Sequence, residues 1–138
     1  IAEEAFQNPL PDNEKEINKW ISNGVHLATK EEVSSEKLTL NLGGPVYISI
    51  DMDVGSLASV YSARFMNCYG LELSEFLALI SQLSVLMKEC GVPLVGMDIM
   101  EIDIHFLEAA KSTQYTDHTR YIARKALEIL LNDQPESQ

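Results

Sequence analysis

Two aspartates, Asp51 and Asp53, are the residues whose types and spacing could do chemistry. They close the apolar run PVYISIDMD at residues 45–53, with one residue between them. Val46, Tyr47, Ile48 and Ile50 are β-branched or aromatic, and Gly43, Gly44 and Pro45 punctuate the entry. The run therefore reads as a buried parallel strand that ends on the two acids. In open α/β sheets that edge is where ligands and metals are held. Carboxylates at i and i+2, where the pleat breaks down, can turn toward one hard cation or toward two neighbouring ones. The plainer alternative is that one aspartate caps the next loop and the other is solvated, because D-x-D by itself is a weak motif.

A second stretch repeats the design. VPLVGMDIME at residues 92–101 has a proline-marked entry, an apolar core of Leu94, Val95, Met97 and Ile99, and acids at Asp98 and Glu101. Between the two stretches, residues 74–90 carry Phe76, Ile80, Leu83 and Met87 on one helical face, widened by Leu79 and Leu86. Lys88 suits the last turn and Gly91 ends it. Strand, helix, strand implies a crossover between parallel neighbours, which gathers Asp51, Asp53 and Glu101 along one sheet edge.

YISIDMD followed by GMDIME resembles the C-terminal half of the ureohydrolases, the arginase, agmatinase and formiminoglutamase family. In that family a strand reading S-x-D-x-D supplies two ligands of a binuclear manganese site, and a later D-I-x-E supplies a carboxylate near the substrate. The resemblance implies that Asp51 and Asp53 are manganese ligands and that Glu101 contacts a small cationic guanidino-type substrate. It covers residues 24–131 and implies an α/β chain, part of a three-layer αβα fold with a mainly parallel sheet. It also implies self-association as a homo-oligomer, or assembly with a homologous subunit.

The family loop after the second aspartate runs L-D-P-x-x-x-P-G-T-G-T-P-x-x-G-G-L-x-x-R-E. The register holds without a gap, and Gly70, Leu71 and Glu75 match, but the chemistry inside it differs. Ser56-Leu57 stand at the Asp-Pro position, and Tyr61-Ser62-Ala63-Arg64-Phe65-Met66 replace the Pro-Gly-Thr run. Tyr, Arg and Phe do not reproduce the backbone angles that Pro and Gly set. The loop has either been redesigned or lost its constraint. The family's upstream histidine and aspartate ligand motifs, of G-G-D-H and D-A-H-x-D type, do not occur here.

Two functions follow: a manganese-dependent hydrolase of a guanidino or related C–N bond, completed by ligands from elsewhere, or a non-catalytic arginase-like subunit kept for assembly or regulation. An unrelated doubly wound α/β domain is the third reading. The chain by itself is not expected to turn over substrate.

Composition bounds the partners. The 138 residues carry 21 acids against 10 bases, a formal net charge of −11, which excludes a nucleic-acid surface and an anionic membrane surface. No apolar run is long enough to span a bilayer, and no signal or lipidation motif occurs. Two cysteines, Cys68 and Cys90, make no disulfide framework and suit a cytoplasmic, reducing compartment. With 46% hydrophobic residues the chain can bury a core as a single domain over 1–138, or as the C-terminal part of a larger one. It begins at Ile1 without an initiator methionine and is expected to be a trimmed polypeptide, or one that needs another to cover its sheet.

The remaining elements are expected as a helix at 13–22 capped by Asp12 or Asn13, a short strand at 25–28, and a helix at 30–40 opened by Thr29 and Glu32. Gly43-Gly44-Pro45 reads as a turn and not a phosphate loop, because no helix follows it. A short helical insertion near 106–110 precedes a last helix at 117–131 capped by Thr116 or Asp117, and residues 132–138 read as a disordered tail. His26 and His118 read as structural or solvated histidines.

Overall fold

The computed structural model describes residues 11–35, 38–64, 68–110 and 116–132. Its elements run α1 (Pro11–Ser22), α2 (Lys30–Ser34), β1 (Val46–Asp51), a 3-10 turn (Met52–Val54), α3 (Leu73–Cys90), β2 (Leu94–Met100), α4 (Ile104–Ala110) and α5 (Thr119–Asn132). β1 and β2 pair in parallel, from Val46 beside Leu94 to Asp51 beside Met100, with an irregularity after Val46. This is the helix-linked parallel pair that the sequence implied.

Alternation along β1 explains which face is buried. Ile48 and Ile50 point inward, whereas Tyr47, Ser49 and Asp51 point to solvent. Against the inner face pack Phe76, Ile80 and Met87 of α3 and Ile122, Ala126 and Leu130 of α5, each set at helical spacing. Met52, Val60 and Ala63 close the same cluster where the strand ends, all fully buried. The outer face is open, with Tyr47 59% and Met100 49% exposed. The described elements thus form an α/β arrangement that is part of a three-layer αβα fold, helices covering one face of the sheet.

Helix ends follow local chemistry. Glu72 and Glu75 close a reciprocal capping box at the start of α3, and Gly91 ends it with φ 64°. Thr29 and Glu32 form the expected box at α2. α1 starts at Pro11, so Asp12 and Asn13, expected just ahead of the helix, lie inside its first turn. Proline lacks the N–H that a first turn leaves unbonded anyway.

Two expectations are corrected. Residues 25–28 form no strand, since no described residue pairs with them in a ladder and Val25 and His26 stay exposed. The helix expected over 30–40 stops at Ser34: Ser35 caps it, and its hydroxyl donates to the Glu32 carbonyl at 3.1 Å. Serine side chains compete with the helix for such bonds. The tail expected from 132 lies outside the described residues, apart from Asn132 at the end of α5.

Candidate functional site

Parallel pairing of β1 and β2 delivers three acids to one end of the sheet. Asp51 is the last residue of β1, Asp53 sits in the 3-10 turn that follows, and Glu101 comes directly after β2. Asp51 is exposed, while Asp53 and Glu101 are half-buried. The Asp53 carboxyl is pushed above the usual carboxylate range, first by burial, then by the charge of Asp51, a hydrogen bond with Asp51, and the charge of Glu101. All three carboxylates therefore share one electrostatic neighbourhood.

Glu101 is unusual in two respects. Its backbone is left-handed, with φ 58°, alone among the described non-glycine residues. Its Oε2 is buried with no hydrogen-bond partner among the described residues. A buried carboxylate oxygen left unpaired is costly, and a hydrogen-bond donor or a cation would satisfy it.

The two motifs are stitched together one step back from the acids. Ser49 of β1 donates to Asp98 Oδ1 at 2.7 Å, and Tyr47 Oη donates to Asp98 Oδ2 at 2.7 Å. Hydrogen bonds from Ser49 and then Tyr47 hold the Asp98 carboxyl below its usual range. Asp98 thus fixes the strand register and stands apart from Asp53 and Glu101. The Tyr47 ring lies on Gly96, where an added Cβ would come within 2.8 Å of it.

The altered loop is a folded polar knot. Ser56, Ser59 and Ser62 recur every third residue, and all three are buried. Ser59 Oγ donates to the Leu71 carbonyl at 2.7 Å, and the Ser56 N–H donates to that same carbonyl at 3.0 Å. Ser62 Oγ donates to Asp117 Oδ2 at 2.5 Å, and Thr119 Oγ1 donates to Asp117 Oδ1 at 2.6 Å. Sequence reasoning missed this network, although the serine period of three was there to be seen. Asp117 does act just ahead of α5, accepting the Thr119 N–H at 3.0 Å, while α5 itself begins at Thr119.

The matched residues after the loop have structural partners. Glu75 accepts from Ser34 Oγ at 2.6 Å and pairs with Lys30 at 3.3 Å, and Lys30 also donates to the Gly70 carbonyl at 2.7 Å. His26 and His105 are exposed, and His118 is half-buried at the entry to α5. Among the described residues no group of three or more His, Cys, Asp and Glu side chains is arranged to hold a metal ion. Cys68 and Cys90 are free and exposed.

The arginase family model matches residues 11–126. The chain belongs to the arginase family. No curated protein and no solved structure matches it. As an arginase-family chain it carries a ureohydrolase-like fold, and the family is generally manganese-dependent. Asp51 and Asp53 offer hard oxygen donors of the kind manganese prefers. Two carboxylates alone are an incomplete ligand set, and no fuller metal-holding group occurs among the described residues. No helix among the described residues is long and apolar enough to cross a membrane.

Proposed function

We propose that this arginase-family chain contributes Asp51, Asp53 and Glu101 to a site that hydrolyses a guanidino or related C–N bond. The observation that carries the reading is the buried Glu101 Oε2, without a hydrogen-bond partner among the described residues, in the electrostatic neighbourhood of Asp51 and Asp53. A planar cation with an N–H fork satisfies such a carboxylate through paired hydrogen bonds. Glu101 then orients the guanidinium group, and Asp51 and Asp53 would hold manganese. The chemistry supplied at such a site would be a metal-bound water acidic enough to ionise near neutral pH. The remaining ligands come from another part of the polypeptide or from a homologous subunit, consistent with a sheet face left open.

A second reading, a non-catalytic subunit, is favoured by the loop at 55–64. Its buried serines serve packing, and three-ligand metal groups are absent from the described residues. Manganese content after dialysis, with urea release from arginine and agmatine, separates the two. Bound manganese that disappears in an Asp51→Ala, Asp53→Ala double variant, together with urea release by the natural-length protein, supports the hydrolase. A natural-length protein that holds no manganese and releases no urea assigns it to the non-catalytic class.

A further inference from the structure

A left-handed glutamate persists only where its surroundings over-determine it, because its Cβ is crowded there. At Glu101 the surroundings are identifiable. Its carbonyl accepts the Arg64 N–H at 2.8 Å, and the Asp103 N–H donates to the Ser62 carbonyl at 2.8 Å. The two bonds close an antiparallel bridge between Ala63 and Ile102, with Glu101 at its edge. Ser62 therefore decides where the bridge sits.

Ser62 is in turn held from α5. Its hydroxyl donates to Asp117 Oδ2 at 2.5 Å, and its N–H donates to Thr119 Oγ1 at 3.3 Å. Asp117 Oδ1 takes both the Thr119 hydroxyl, at 2.6 Å, and the Thr119 N–H, at 3.0 Å. Ser62 and Thr119 are 0% exposed, so their hydroxyls depend on protein partners, while the Asp117 that serves them is half-buried. A second tie runs from the His118 N–H to the Ser59 carbonyl at 3.0 Å.

We propose that Asp117 is a positioning residue: through Ser62 and the bridge from Ala63 to Ile102 it holds Glu101 in the left-handed conformation that keeps its carboxylate beside Asp53. The proposal deepens the site reading above, since it rests on Glu101 being the group that meets the substrate. It gives the redesigned loop a task. Serines at 59 and 62 let α5 set the geometry of Glu101 without the Pro-Gly-Thr run.

Amide hydrogen exchange and the Glu101 Cα chemical shift, measured on the whole chain without substrate or metal, test it. Asp117→Ala is expected to speed exchange at the Arg64 and Asp103 amides about tenfold or more, as the loss of a buried bond allows. The Glu101 shift is expected to move toward that of ordinary negative φ. Asp117→Asn keeps an acceptor for Thr119 and a partner for Ser62, and is expected to restore both readouts. Ser62→Ala removes only a hydroxyl and reproduces the faster exchange even if Asp117→Ala does not fold. The proposal is overturned if the folded variants exchange faster only in the first turn of α5, with Arg64, Asp103 and Glu101 unchanged. A protein that releases no urea refutes the hydrolase reading and leaves this result to be decided by exchange alone.

Discussion

Gly70→Ala is expected to be among the most destabilising single-methyl additions in the chain. A Cβ at residue 70 would lie 2.5 Å from the Gly55 carbonyl carbon, 2.6 Å from the Ser56 nitrogen and 2.7 Å from the Gly55 oxygen. All three are backbone atoms, so no side chain can rotate away. Reaching even 3.0 Å requires a movement of 3.0 − 2.5 = 0.5 Å between two segments held by short bonds. The Ser56 N–H donates to the Leu71 carbonyl at 3.0 Å, and the Leu71 N–H donates to the Val54 carbonyl at 2.9 Å. Weakening these two bonds costs about 2 kcal/mol, and overpacking adds ~1–2 kcal/mol, for about 3–4 kcal/mol in all. In a chain of 138 residues that lowers the melting temperature by about 10–15 °C. Gly43→Ala is the control, since nothing lies within 4 Å of a Cβ there. Urea denaturation and thermal melting of both variants provide the measurement. A Gly70→Ala protein as stable as Gly43→Ala would refute the close crossing of residues 55 and 70.

Asp53→Asn is expected to stabilise the metal-free protein slightly at neutral pH, by under ~1 kcal/mol at a partly solvated site. A carboxyl whose folded pKa is raised contributes stability below its unfolded pKa and loses it as pH rises through the folded value. The gain should therefore vanish in acid, and a variant destabilised at pH 7 would contradict the repulsion among Asp51, Asp53 and Glu101. Asp117 and Glu75 behave oppositely. Burial pushes both carboxyls up, but hydrogen bonds from Ser62 and Thr119 at Asp117, and from Ser34, Glu72 and Lys30 at Glu75, outweigh it and hold them down. Their stabilisation is present above the ordinary carboxylate pKa and is lost as pH falls below about 4. Acid titration followed by circular dichroism should show a shallower loss in Asp117→Asn than in the wild type.

Legibility in the sequence tracked how local the determining physics is. β2, α3 and the capping box at Thr29 and Glu32 were readable because apolar period, caps and glycine stops lie within each segment. The strand expected at 25–28 failed because a strand needs a neighbour, and its pattern holds no information about one. Helix α2 ended early because Ser35 bonds the Glu32 carbonyl locally while Ser34 reaches across to Glu75 of α3. Asp51, Asp53 and Glu101 were legible as a set, since parallel strands that end on acids place them at the same edge. The knot of Ser56, Ser59 and Ser62 was not, because its partners Leu71, Asp117 and Thr119 lie far along the chain.

The sequence by itself determined the family, the parallel pairing of two acid-tipped strands, and the excess of acids over bases. Those properties depend on residue type and short spacing. Only the tertiary structure decided that Asp98 bonds Tyr47 and Ser49 across the strands while the charge of Glu101 is felt at Asp53. It alone showed that the altered loop is anchored through Asp117, and that Glu101 is left-handed with a buried oxygen unpaired among the described residues. Each of these depends on which distant groups the fold brings together, a quantity no stretch of sequence contains.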